Sequence, residues 1–388
     1  MTLERKLAKG LFFSINYLGC SLWTTGMSIK DQISAILEKA KKGIRISPQE
    51  ALKLFQYEDI LLLGRYANEI TRRKNGRVVS YIVDRNINYT NICIARCDFC
   101  AFSRNIDDPD AYLLTYKEIE EKIVEMVNLG GTQVLLQGGL HPELPLEWYT
   151  GLISLMKEKF PQVVLHAFSP PEILHLAKIS GMDIRGVVQT LKKAGWQSMP
   201  GGGAEILSEK VRLKMGKIKA TTREWLEVME ICHNEGIGTT ATMMFGHVET
   251  EEDRIEHLNH LRNLQDRTNG FRAFIPWIFQ PGNTRLGQKI AFKATAFDYL
   301  KTLAISRIFL DNFRNIQGSW VTMGKKIGQL SLFFGANDLG STMIEENVVK
   351  AAGCSHKMDE DDMVSLIKDA GFIPCKRDTF YSYQTNTP

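Results

Sequence analysis

Helical and strand-like patterns of apolar residues alternate along most of the chain. Ser28 caps a first predicted helix that runs to Lys42. Ser47 starts a second, with Glu50 three residues on as a capping box and Leu52, Leu54 and Phe55 as its apolar face. A third covers 61–70 and stops near Asn75 and Gly76. At 78–83 the pattern becomes Val-Val-Ser-Tyr-Ile-Val, which predicts a strand. A long helix is then expected from Thr115. Glu118 completes its capping box, Ile119, Ile123, Met126 and Val127 make one stripe, and Gly130 and Gly131 end it. Strands are predicted at 133–136, 163–168, 196–199, 238–245, 271–279, 316–320 and 330–335. Helices over 146–160, 171–179, 184–193, 221–234, 251–267 and 292–313 separate them.

This alternation predicts an α/β fold with parallel strands and right-handed crossovers. Eight strand candidates fit a closed (β/α)8 barrel, with an open doubly wound sheet as the alternative. The expected organisation is an arm over 1–26, a helical N-terminal extension over 27–77, the barrel over 78–342 and a C-terminal extension over 343–388. The last holds a helix at 359–369 that stops at Gly371. In the arm, Lys6 and Lys9 precede an apolar stretch at 11–23 that Ser14, Asn16 and Ser21 interrupt. It is too short to span a bilayer, and a start at Met27 is an alternative reading.

Composition narrows the function classes. The 388 residues carry 48 basic and 44 acidic side chains, a formal charge of +4, which is no nucleic-acid footprint. No segment after the arm reaches 18 apolar residues, so no membrane span is expected. Seven cysteines, at 20, 93, 97, 100, 232, 354 and 375, make a poor disulfide framework. Three of them lie within eight residues, Cys93-Ile-Ala-Arg-Cys97-Asp-Phe-Cys100, and such a group of free thiolates suits a reducing cytoplasm.

On the predicted topology this cluster occupies the first loop on the barrel's catalytic face. One loop can wrap these three sulfurs around a small metal centre, and soft thiolates favour iron–sulfur clusters, zinc or copper(I). Three thiolates leave a four-iron cluster one ligand short. The open iron can accept the amine and carboxylate of a methionine moiety, so that an electron can pass to the adjacent sulfonium. Zinc would need a fourth ligand, for which His141 and His166 are the candidates. Ordinary core cysteines are the remaining alternative.

Other candidates stand at predicted strand ends. Gly138 and Gly139 allow close backbone approach and could offer amide and carbonyl groups to a cofactor, although a plain tight turn also explains them. His166 is a candidate hydrogen-bond donor or base, or a satisfied core histidine. Ser169 is a cofactor candidate, while Glu172 reads as a first-turn helix acid. The run Met199-Pro-Gly-Gly-Gly-Ala-Glu205 suits a loop pressed against a ligand, with Glu205 receiving hydrogen bonds from cofactor or Arg212 meeting a carboxylate. Thr240, Thr242, His247, Trp277 and Gln280 are further polar or aromatic candidates. Arg314 could pair with a substrate carboxylate or form a local salt bridge.

The cysteine spacing, Cys-x3-Cys-x-aromatic-Cys, resembles that of the radical S-adenosylmethionine enzymes. Asp84-Arg-Asn-Ile-Asn-Tyr-Thr-Asn91, Gln137-Gly-Gly-Leu-His-Pro142, His166-Ala-Phe-Ser-Pro-Pro-Glu172 and Pro200-Gly-Gly-Gly-Ala-Glu205 extend the likeness. So do Thr242-Met-Met-Phe-Gly-His-Val-Glu249, Phe279-Gln-Pro-Gly-Asn-Thr284 and the segments from His356 to Asp359 and from Arg377 to Phe380. Together they are similar to the cyclic dehypoxanthinyl futalosine synthases of menaquinone biosynthesis, over roughly 45–382. That resemblance implies a [4Fe-4S] cluster on Cys93, Cys97 and Cys100, S-adenosyl-L-methionine as cofactor, a nucleoside substrate and an electron donor such as flavodoxin or ferredoxin. It implies hydrogen abstraction from a ribose C4′ and radical attack on a benzoate ring. An aminofutalosine synthase is the rival activity, and a zinc-stabilised interaction module the non-enzymatic one.

Overall fold

The computed structural model describes residues 28–216, 220–290 and 293–383. The arm at 1–26 lies outside them. The N-terminal helices form as their caps predict. Ser28 accepts from Asp31 N, Ser47 and Glu50 complete their box at the start of Pro48–Phe55, and Asp59 caps Ile60–Asn75. This extension packs beside Ala296–Phe309, with Lys74 Nζ donating to the carbonyls of Asp311 and Phe313.

Among the described residues ten strands follow in chain order: β1 Val78–Ile82, β2 Asp84–Asn88, β3 Gln133–Gln137, β4 Val164–Ala167, β5 Ser198–Met199, β6 Gly238–Phe245, β7 Phe271–Ile278, β8 Asn315–Ile316, β9 Asp338–Ser341 and β10 Ile373–Lys376. Strands β2 to β8 form one parallel sheet in sequence order. Its two edges meet through β9. Asn337 N donates to Ile316 O and Gly318 N to Asp338 O on one side. On the other, β9 pairs with β1, Thr342 N donates to Ile82 O and Ile344 N to Asp84 O. Since β1 and β2 are two halves of one nearly continuous strand, these bonds complete an eight-strand parallel ring, β2 to β9, with the connecting helices outside.

Two strand expectations are corrected. The first ring strand is β2, the segment read from sequence as the connection into the cysteine loop, and β1 pairs instead with β9 and β10. The eighth is β9, because 330–335 is the end of helix Trp320–Ser331 and the turn after it. Strand β2 turns Asp84 and Asn86 into a polar lumen, and β9, Asp-Leu-Gly-Ser, carries a single large apolar side chain, so hydrophobic periodicity marks neither.

The floor of the lumen, at the N-terminal ends of the strands, is built from buried charge. Asp84 accepts from Gln133 and Ser341, and burial pushes its carboxyl up to about 6. Asp338 accepts from Ser80 and from both Nε and Nη2 of Arg377, at 2.6 and 3.1 Å. Strand β10, which lay hidden within the C-terminal extension, pairs with β1 and delivers this arginine. The Tyr381 ring covers the Arg377 guanidinium at 3.9 Å, and Phe380 covers Arg272 at 4.5 Å. The tail thereby closes the lower end of the barrel.

Removing Arg377 strands a desolvated carboxylate, whereas Arg45 pairs with Asp266 and Asp311 at the surface. Arg377→Ala is therefore expected to cost about 3–5 kcal/mol and Arg45→Ala about 1 kcal/mol or less in denaturant unfolding of the apoprotein.

Candidate active site

The loop after β2 is fastened before it reaches the cysteines. Thr90 Oγ1 donates to Tyr112 O, while Asn91 donates from Nδ2 to Asp110 O and accepts from Tyr112 N. Cys93 N donates to Arg104 O, Ile94 N to Leu140 O and Cys100 N to Cys97 O. Arg104 donates to the carbonyls of Ala101, Phe102 and Ser103 and pairs with Asp110. Two further elements clamp the centre of the loop: Asp98 N donates to Met215 O, and Leu286 N donates to Asp98 O. Arg96 sits between the first two cysteines at φ 46°, a left-handed turn that bends the chain back on itself.

Cys93, Cys97 and Cys100 form no disulfide and are half-buried thiols that line one pocket with Arg96, Asn283 and Arg285. Burial pushes the Cys93 thiol up, so a metal is what would hold it as thiolate. Neither imidazole that could complete a zinc site lines this pocket. His141 Nδ1 accepts from Glu143 N, and His166 Nδ1 lies 2.8 Å from Ser198 Oγ.

The glycines after β3 serve this loop directly. A Cβ on Gly139 would lie 2.1 Å from Ile92 O and 2.8 Å from Cys93 Cβ. One on Gly138 would lie 2.4 Å from the Tyr89 ring. Their amides are already committed, Gly139 N to Thr90 O and Gly138 N to Glu172 Oε1. The expectation that these amides meet a cofactor is corrected: only the carbonyls remain for that. Ser169 donates to Glu172 Oε2 at 2.6 Å and keeps its acceptor lone pairs.

Above the floor lies a cavity of about 300 Å³, lined among others by Asn86, Gln137, His166, Glu205, Thr242 and Trp277. Its size and its mixture of apolar walls and convergent polar groups suit a small molecule. Glu205 is buried at its rim at φ 39°. The glycine loop before it is rigid: Thr242 Oγ1 donates to Gly201 O, Trp225 Nε1 to Gly202 O, and Arg212 to the carbonyls of Gly203, Ala204 and Ala220. Arg212 is thus a staple for the loop and not a carboxylate receptor. His247 is likewise a loop brace, its Nδ1 accepting from Val248 N and its Nε2 lying 3.1 Å from Met244 O.

Two more expectations change. Arg314 is exposed just before β8, at the floor end of the barrel beside Asn75, and does not line the cavity. His166 does line it, but burial, Arg272 and Arg377 push its pKa down to about 3. It faces the cavity as a neutral imidazole and not as a base titrating near pH 7.

Comparison with known proteins agrees with this geometry. The Radical SAM superfamily model matches residues 87–261, and the CofH/MqnC C-terminal region matches 268–388. A cyclic dehypoxanthine futalosine synthase of Halalkalibacterium halodurans is 45% identical over 350 residues, covering 90% of this chain and 94% of that protein. The chain belongs to the radical SAM superfamily. A second cyclic dehypoxanthine futalosine synthase, from Streptomyces coelicolor, is 43% identical, covering 92% of this chain and 90% of that protein. An aminodeoxyfutalosine synthase of Thermus thermophilus is 39% identical, with 89% and 94% coverage. Crystal structures of methylornithine synthase and the FeFe-hydrogenase maturase HydG share the fold, with TM-scores of 0.69 and 0.72 at 18% and 17% identity. They cover 87% and 90% of this chain, and 97% and 77% of their own.

Like other radical SAM enzymes, the protein uses a [4Fe-4S] cluster and S-adenosylmethionine. The residues present fit them, because three thiols share one clamped loop. The other described cysteines lie elsewhere: Cys232 inside helix Thr222–Asn234, Cys354 donating to Val321 O, and Cys375 in β10.

Two outcomes are expected. Gly139→Ala drives a methyl into the Ile92 carbonyl and should greatly reduce iron bound on anaerobic reconstitution, with helix content by circular dichroism unchanged. His166 is neutral when folded but protonates below about 6.5 when unfolded, so it contributes stability above that pH that is lost as pH falls toward about 3. His166→Gln should flatten the rise of unfolding free energy across this window by up to about 1.4 kcal/mol per pH unit.

Proposed function

We propose that the protein converts dehypoxanthine futalosine into its cyclic spiro product in menaquinone biosynthesis. The observation that carries this reading is end-to-end similarity, 43–45% identity across nine-tenths of the chain, to two relatives named for that synthesis. Bound at Cys93, Cys97 and Cys100, the cluster and S-adenosylmethionine would supply a 5′-deoxyadenosyl radical, with a small acidic carrier such as flavodoxin or ferredoxin as electron source.

The chain's own task is placement. The ribose C4′ hydrogen must face the cluster end of the cavity while the benzoate ring already lies against C4′. Trp277 offers a wall for the ring, and Thr240, Thr242 and Gln137 offer hydrogen bonds to the sugar. Ser169 and Glu205 stand at the strand ends where the amino-acid and ribose portions of the cofactor would lie. The closed floor and the staples on the glycine loop keep water and stray hydrogen donors out. Removing the C4′ hydrogen lets that carbon bond to the ring. Loss of one proton and one electron then restores aromaticity, the electron balancing the one consumed in cleaving the sulfonium.

The test is anaerobic incubation of reconstituted protein, reductant and S-adenosylmethionine with dehypoxanthine futalosine, followed by mass analysis. A product lighter by two hydrogens, with 5′-deoxyadenosine formed alongside, is expected. Turnover only of an enolpyruvyl substrate with release of carbon dioxide would assign the chain to the aminofutalosine synthases instead.

A further inference from the structure

The cofactor end of the barrel contains a buried carboxylate to which the reaction assigns no role. Glu172, 4% exposed, lies in the first turn of helix Pro170–Ser180. A helix-start acid needs only solvent and the helix dipole. This one instead turns inward and receives three hydrogen bonds. Its Oε1 accepts from Tyr89 OH at 2.7 Å and from Gly138 N at 3.2 Å, and its Oε2 accepts from Ser169 Oγ at 2.6 Å.

Each donor belongs to a different part of the mouth. Tyr89 follows β2 and leads directly into the cysteine loop. Its ring lies under Gly138, and its carbonyl accepts from Leu114 N, where the chain returns from that loop. Gly138 leads into Gly139, where an added Cβ would collide with Ile92 and Cys93. Ser169 follows Phe168, a buried residue at φ 67° that an L-residue adopts only when its surroundings enforce it.

We infer that Glu172 is a positioning residue for cofactor binding: one carboxylate ties Tyr89, Gly138 and Ser169 together and so sets the cysteine loop in register with the two strand ends that receive S-adenosylmethionine. Burying this carboxyl is costly and pushes it up to about 7, while its three hydrogen bonds act in the opposite direction. A cost of that kind at the junction of three functional turns is the mark of a geometric task. The inference does not depend on which nucleoside is turned over.

The test uses reconstituted holoenzyme without nucleoside. S-adenosylmethionine affinity is measured by equilibrium dialysis, and the reduced cluster by electron paramagnetic resonance with and without S-adenosylmethionine. Glu172→Leu should weaken affinity at least tenfold and abolish the spectral change that S-adenosylmethionine produces. Glu172→Gln keeps an acceptor for Tyr89 and Gly138 and should stay within about threefold of the parent. Should the leucine variant fail to hold its cluster, Ser169→Ala and Tyr89→Phe each remove one tie and should weaken binding severalfold. Parent-like affinity and spectra in a folded Glu172→Leu protein, or in both single-tie variants, would overturn the inference. So would equal losses in Glu172→Leu and Glu172→Gln.

Discussion

Everything at the mouth of this barrel depends on one close approach. The backbone of the cysteine loop lies so near Gly139 that the position has no room for a Cβ: the atom would meet Ile92 O at 2.1 Å. A loop carrying three thiols around a metal cluster has little hydrophobic surface to hold it. Here it is fixed through backbone hydrogen bonds instead, to Leu140, to the end of helix Glu209–Met215 and to Leu286. Those anchors come from three separate parts of the chain, so the cluster loop is only as well placed as the barrel that brings them together.

The same barrel resolves a conflict between stability and chemistry. Its lumen must be polar enough to hold a sugar and a charged cofactor, yet it runs through the middle of the hydrophobic core. The conflict is met by pairing. Asp338 is matched by Arg377, Asp84 by two neutral donors, and His166 by the hydroxyl of Ser198 and by loss of its proton. The C-terminal tail supplies the cation and the aromatic cover at the floor, which makes the extension part of the chamber wall.

Much of this was legible in the sequence, for physical reasons that can be named. The boxes Ser47–Glu50, Thr115–Glu118 and Thr221–Glu224 all form, because capping is decided within four residues. The cysteine triplet is equally local. What could not be read depends on facing. Asp84–Asn88 looks like a polar connection until the lumen it lines is known, and Asp338–Ser341 is hidden in the same way. Arg314 and His166 were credible from residue type, but one lies at the wrong end of the barrel and the other is too deeply buried among cations to act as a base. The glycines after β3 were rightly marked for close approach. The partner of that approach is the chain's own cysteine loop, which no spacing rule shows.

The central claim is that Cys93, Cys97 and Cys100 hold a four-iron cluster that leaves one iron to be ligated by the cofactor. Mössbauer spectroscopy of anaerobically reconstituted, iron-57-labelled protein tests it directly. Adding S-adenosylmethionine should shift the signal of one iron in four toward higher coordination and leave the other three unchanged. A spectrum that does not respond to saturating S-adenosylmethionine, as expected of a cluster fully ligated by protein, would contradict the account.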